Sequence, residues 1–302
     1  MEDTPALEPH PPARVLLPFL LRRLRTSISP RPGAAPLVPF DREALSWNPA
    51  LTWIGHATFF VRMDGVAFLT DPVFSERASP VSFAGPRRLV APGVPLKELP
   101  APDFVLLSHD HYDHTDLPSV RALAARGATF IVPRGLAELV RPTGAPVIEL
   151  NWWESAAVAG LRVHCVPARH FSGRGLRDRN RRLWAGFVVE GPSGRFYHPG
   201  DTAYFPGFAE IRQRLGPISL AVLPIGAYLP PEIMARIHLN PEEAVQAAVD
   251  LDAEQIVGMH FGTFDLTDEP LDEPPGRFLA EAERRGLGTR AFVMNVGETR
   301  RW

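Results

Sequence analysis

Residues 108–114 read Ser108-His109-Asp110-His111-Tyr112-Asp113-His114. Three imidazoles and two carboxylates in so short a stretch would clash electrostatically if the histidines carried protons. They make chemical sense together when cations hold the imidazoles neutral and ligating. A loop can turn His109 and His111 toward one ion, and Asp113 and His114 toward a neighbouring one. Two ions need more donors than this loop supplies, and His170, Asp201 and His260 are the candidates elsewhere in the chain. The single cysteine, Cys165, excludes a thiolate cluster and any intramolecular disulfide.

Such a set works only if the chain brings its members to one place. The run 104–107 is wholly apolar, as expected of a strand covered on both faces, so the histidine-rich loop emerges at a strand's C-terminal end. His170 follows an apolar strand pattern at 161–167. Asp201 lies in Tyr197-His198-Pro199-Gly200-Asp201-Thr202, a strand-to-loop turn where glycine permits close approach. His260 closes the apolar run 255–259. Each donor therefore stands at the end of a strand, and all could meet on one rim.

Further strands are expected at 51–54, 58–63, 66–69, 129–132, 147–150, 183–190, 196–197, 220–224 and 291–293, with Asp64-Gly65 as a hairpin turn. Helices are expected at 117–126, 208–215, 241–251 and 275–286. The third of these has Asn240 as N-cap, Pro241 at its first position and two glutamates in its first turn. Strands and helices in two similar halves indicate a layered α/β protein. Residues 1–46 form a proline-rich arm, expected to be irregular, and 47–302 form the folded domain. The apolar run 15–21, followed by Arg22, Arg23 and Arg25, is too short to span a bilayer; the arm is expected to pack on the domain's own surface, with rest on an anionic membrane surface as the alternative. Acidic residues precede it, unlike a secretory signal.

The pattern His109-x-His111-x-Asp113-His114, then His170, Asp201 and His260, resembles the binuclear hydrolases of the metallo-β-lactamase superfamily. More narrowly the chain resembles N-acyl-phosphatidylethanolamine-hydrolysing phospholipases D and their bacterial relatives. The carrying segments run in order: Thr52-Trp53-Ile54-Gly55-His56-Ala57-Thr58, Thr70-Asp71-Pro72-Val73-Phe74, Trp152-Trp153-Glu154, Gly200-Asp201-Thr202, Pro224-Ile225-Gly226-Ala227-Tyr228 and His260-Phe261-Gly262-Thr263-Phe264.

The resemblance implies a four-layer αβ/βα sandwich. It implies one zinc on His109, His111 and His170, a second on Asp113, His114 and His260, and Asp201 bridging them; manganese or iron would suit the same donors. It places His238 as an active-site histidine, and it implies phosphodiester hydrolysis by a hydroxide held between the ions, with Asp113 steering the proton. The expected products are phosphatidic acid and an N-acylethanolamine. His56 is expected near the metal rim, supporting a metal-holding residue or contacting substrate, with a buried structural histidine as the alternative; Tyr228 is expected to line the cleft and contact substrate. His10, His164 and His198 read as structural or surface residues, and Asp71 as a turn former, with a hydrogen bond to a metal-bound histidine as the alternative. A lactonase or another carbon–oxygen hydrolase of the same fold is the alternative, because a similar donor set serves both. A net charge of −2 gives no case for nucleic acid as a partner. A cytoplasmic protein with peripheral membrane contact through the arm, and room for a homodimer, completes the expectation.

Overall fold

The Asp64-Gly65 turn, both residues at positive φ, closes the hairpin between β2 (Thr58–Met63) and β3 (Val66–Thr70), with Met63 opposite Val66. This hairpin sits inside the first of two seven-stranded sheets in the computed structural model, which describes residues 13–28, 31–175 and 177–302. The other strands of that sheet are β1 (Ala50–Gly55), β4 (Phe104–Leu106), β5 (Thr129–Pro133), β6 (Val147–Leu150) and β14 (Thr299–Arg301). Their order is β14-β1-β2-β3-β4-β5-β6. The second sheet runs β13-β12-β11-β10-β9-β8-β7. It is built from β7 (Ser155–Val158), β8 (Leu161–Val166), β9 (Gly186–Gly191), β10 (Gly194–His198), β11 (Leu220–Pro224), β12 (Gln255–Met259) and β13 (Ala291–Val293).

Side-chain alternation explains the layering. On β4, Phe104 and Leu106 enter the core between the sheets, against Phe68, Phe187 and Phe196. Val105 and the next residue, Leu107, point the other way, onto α2 (Leu117–Ala124) and α3 (Ala137–Val140). Outside the second sheet lie α4 (Gly207–Leu215), α6 (Pro241–Asp250) and α7 (Glu273–Arg284), which contribute Phe208, Val245 and Phe278 to the larger core. A short helix, α5 (Pro231–Met234), precedes α6. The two sheets with flanking helices form the expected αβ/βα sandwich. Each fully buried Phe or Leu contributes about 1.5–3 kcal/mol.

The Asn240 cap is present as a full capping box: its side chain accepts from the Glu243 N–H, and Glu243 accepts from the Asn240 N–H. Three expectations need correction. The strand expected from residue 183 starts at Gly186, because the Leu183 N–H donates to the Arg134 carbonyl and Trp184 Nε1 to the Ala168 carbonyl. Strands β7 and β14 went unforeseen, since neither carries a strong apolar alternation. The arm, expected to be irregular, holds helix α1 (Ala13–Ile28), with Pro18 inside it removing one backbone donor.

Helix α1 buries Phe19 but leaves Leu17, Leu20, Leu21 and Leu24 more than half exposed. Arginines fasten it: Arg22 reaches Asp268 Oδ2, and Arg23 reaches Asp265 Oδ1 at 2.9 Å and Asp268 Oδ1 at 2.8 Å. Beyond the helix, Arg31 Nη2 donates to Asp265 Oδ1 at 2.6 Å, and the Ala35 and Val38 N–H groups donate to the Gly262 and Val296 carbonyls. The other features noted for the arm, Glu2, Asp3, His10 and the prolines up to Pro12, lie outside the described residues. No helix among the described residues is long and apolar enough to cross a membrane.

Candidate metal centre

Every donor singled out above sits just past the end of a strand, as the pattern of apolar runs implied. The loop after β4 carries His109, His111, Asp113 and His114; His170 follows β8, Asp201 follows β10 and His260 follows β12. Gly200, at φ 63, lets the chain turn tightly into Asp201, and a Cβ there would collide with the Ser108 side chain. His56, Asp71 and His260 also adopt positive φ, at 56°, 35° and 63°. Left-handed backbone at three non-glycine residues of one rim is strain held by its surroundings, a pattern found at functional sites.

The donors fall into two groups. His109 Nε2 lies 2.9 Å and His170 Nε2 3.2 Å from His111 Nδ1. Asp113 Oδ2 lies 3.7 Å from His114 Nε2 and 3.6 Å from His260 Nε2. Asp201 stands between them: Oδ2 is 3.8 Å from both His109 and His170 and 3.2 Å from His114, while Oδ1 is 3.1 Å from His260. The donor atoms within each group lie within 4.8 Å of one another.

The far sides of the rings are anchored, which fixes the nitrogens that face inward. His170 Nδ1 donates to the Ile237 carbonyl at 2.8 Å, His109 Nδ1 meets the Ser108 hydroxyl at 2.9 Å, and His114 Nδ1 donates to Asp71 Oδ2 at 2.8 Å. Asp71 is fully buried and also accepts from His198 Nε2, the Ser108 N–H and the Ser108 hydroxyl. Of the two readings of Asp71, the hydrogen bond to a candidate metal-holding histidine is the one that the structure shows. Only its place at the end of a strand beside the histidine-bearing one hints at this in the sequence. His198 is structural, as expected.

A metal fits this donor set on two grounds. His114 Nε2, His260 Nε2 and Asp201 Oδ1 are buried and have no hydrogen-bond partner, an expensive arrangement unless something else takes their lone pairs. Burial also pushes His111 down to about 4 and His170 to about 3, and holds His109 well below its ordinary value, so all three present neutral imidazoles. In the other group burial is outweighed: Asp201 and Asp113 raise His114 well above its ordinary value and His260 to about 9. Despite burial, the surrounding histidines hold both of these carboxyls well below the usual range. The negative field that favours protons there would also favour a cation.

A cavity of about 180 Å³ opens over the donors. His238 lines it, with Nδ1 3.9 Å from Asp201 Oδ2, and burial pushes its pKa to about 3. Phe171, Met234, Ile237 and Leu266 give it apolar walls, and Arg179 stacks on Phe171 at 4.5 Å. Tyr228 lies away from this cavity, whereas His56 stands at the rim behind Asp113, as one of its readings had it. His56 is buried, with Nε2 3.0 Å from Asp113 Oδ2. Tyr228 is buried and donates to Glu273 Oε1 at 2.7 Å. Neither is among the residues lining the cavity.

Two sheets, outer helices and a histidine–aspartate rim define a known class. Residues 67–261 match the beta-lactamase superfamily domain, and the chain belongs to that family, whose fold is one of metal-dependent hydrolases. Among its relatives is an uncharacterised protein of Mycobacterium tuberculosis, 47% identical over 241 residues, covering 78% of this chain and 64% of the relative. The chain thus spans somewhat under two thirds of that relative's length. The N-acyl-phosphatidylethanolamine-hydrolyzing phospholipase D 1 of Caenorhabditis elegans is 40% identical over 263 residues, covering 82% of this chain and 74% of the worm protein. Of solved structures, the metallo hydrolase Igni18 of Ignicoccus hospitalis superposes with a TM-score of 0.63 at 26% identity, covering 83% of this chain and 97% of its own.

Proposed function

We propose that this chain is a binuclear zinc phosphodiesterase of phospholipase D type, hydrolysing N-acyl-phosphatidylethanolamine-like lipids to phosphatidic acid and an N-acylethanolamine. The observation that carries the reading is Asp201 lying between two donor groups on a rim with apolar walls; the 40% identity to the worm phospholipase supports the substrate class. His109, His111 and His170 would hold one ion, Asp113, His114 and His260 the second, and Asp201 would reach both. Nitrogen and carboxylate donors suit zinc.

Bound ions supply Lewis-acid polarisation of the phosphoryl group and activation of water. The protein's own groups do the rest. His56, His114 and His260 all approach Oδ2 of Asp113, leaving Oδ1 to take a proton from the attacking water. His238 faces the cavity as a neutral imidazole and can donate a hydrogen bond to a phosphoryl oxygen as charge develops there. Phe171, Met234, Ile237 and Leu266 exclude water around the lipid portion. Leu266 also lines a second recess with Leu20 and Leu24 of α1, so the exposed leucines of the arm lie close to the cavity and would seat the enzyme on a bilayer.

The test is turnover of N-acyl-phosphatidylethanolamine vesicles, bis-(p-nitrophenyl) phosphate and a lactone panel, with bound metal quantified. Lipid turnover at two ions per chain, lost in Asp201→Asn, supports the proposal; lactone turnover with inert diesters overturns it in favour of the lactonase alternative.

A further inference from the structure

A second cavity, of about 570 Å³, shares no lining residue with the one over the metal donors. Its wall includes Tyr112, which lies in the chain between His111 and Asp113, and Arg174. The Arg174 guanidinium lies 3.9 Å from the centre of the Tyr112 ring, and its Nη1 donates to the Asp110 and Thr115 carbonyls at 2.6 and 2.8 Å. No described carboxylate forms a salt bridge with it. The neighbouring Asp110 carboxylate is already taken, by the Gly173 N–H at 2.6 Å and Arg182 Nη1 at 2.7 Å.

Two more guanidiniums line the same space. Arg77 donates Nη1 to the Gly85 carbonyl at 2.6 Å, and Arg121 projects from α2; neither pairs with a described carboxylate. Two acids share the wall. Asp116 is spent on the Ser75 N–H and hydroxyl, the Ser119 hydroxyl and the Phe74 N–H. Glu76 is exposed. Three cations thus face one uncommitted carboxylate. Val81, Leu117 and Pro118 add apolar surface, and the volume falls within the range of pockets that enclose small organic ligands.

We propose that this cavity is a phosphomonoester site, distinct from the metal centre, with the phosphate dianion held by Arg77, Arg121 and Arg174. Guanidinium forks match phosphate oxygens geometrically, and charge-assisted hydrogen bonds are the strongest available to such a group. The organic part of the ligand lies over Val81, Leu117 and Pro118. The site stands apart from the identity of the diester hydrolysed.

Calorimetric titration of the metal-loaded full chain tests it, using inorganic phosphate, glycerol 3-phosphate, monomeric dihexanoyl phosphatidic acid and, as the uncharged control, glycerol. The expected result is saturable binding of a phosphomonoester but not glycerol, weakened about tenfold or more in Arg121→Glu and in Arg77→Ala, with metal content per chain unchanged in both. Binding of glycerol 3-phosphate supports a soluble ligand, and binding of phosphatidic acid alone supports a lipid headgroup. Asp201→Asn separates the two sites: the cavity's binding persists there. Loss of all phosphate binding in Asp201→Asn, indifference to both arginine changes, or no binding of any phosphomonoester overturns the proposal.

Discussion

Asp110, between two of the candidate metal ligands, has no exposed surface and is held by Arg182 and the Gly173 N–H. Helix α1, by contrast, sets one phenylalanine on the body, shows four leucines to solvent and is fastened by arginines to Asp265 and Asp268. A buried partner fixes geometry, because letting go leaves an unpaired polar atom at about 1–3 kcal/mol. A part-exposed charge pair such as Arg22–Asp268 contributes about 1 kcal/mol or less and weakens with salt, and of the carboxylates that fasten α1 only Asp265 is buried. The first kind of attachment suits groups that must converge within an ångström. The second would suit the docking role proposed for α1, where the segment meets a variable surface.

The sharpest way to break this contrast is at its buried extreme. Asp201→Asn is expected to lower kcat/KM by about 10²–10³-fold with loss of bound metal, read by steady-state kinetics and metal analysis. Asp71→Asn keeps shape but weakens the acceptor that orients His114; metal affinity, measured against a chelator, is expected to fall about 10–100-fold. Arg182→Met leaves the Asp110 carboxylate buried and short of a partner, and denaturant unfolding is expected to show a loss of about 3 kcal/mol. Recovery of part of that loss when Asp110→Asn is added would sharpen the assignment.

The arm is expected to respond differently. Removing residues 1–30 spares Ala35 and Val38, which are bonded into the body, so turnover of a soluble diester is expected to hold while vesicle turnover falls about tenfold. Equal losses on both substrates would remove the docking role of α1. The smallest effect concerns acid. Burial would raise the Asp265 carboxyl, but Arg31 and Arg23 outweigh it and hold it below its ordinary value. A depressed pKa means that its contribution is complete above about pH 4 and is lost only as the pH falls further, through the folded value. Amide exchange of α1 is therefore expected to be unchanged from pH 7 to 5 and to rise below about pH 4.

Much of the donor rim could be read from the sequence, because local signals carry it: apolar runs ending in His, Asp or His, and a loop too rich in imidazole for anything but cations. The Asn240 cap was legible for the same reason, its partner being three residues away. Asp71 was legible only as the second of two readings. Its partners, Ser108, His114 and His198, lie 37, 43 and 127 residues along the chain, and nothing near Thr70-Asp71-Pro72 announces them. Tyr228 was read toward the cavity from its neighbourhood in sequence, while burial turns it onto Glu273; His56 was legible as a rim residue and stands against Asp113. Helix α1 was hidden by its proline, since the charge pairs that seat it are made with residues more than 200 positions away.

The place of β14 has a consequence for synthesis. Ala50, Leu51 and Thr52 of β1 pair with Arg301, Arg300 and Thr299, so one side of β1 waits for about 250 further residues to be made. At about 5–20 residues per second the nascent chain carries that open edge for roughly 10–50 s. An unpaired strand edge invites pairing with other chains, so until the three-residue β14 is made, the longer β1 stands as the open edge of its sheet, and afterwards the short β14 takes that place.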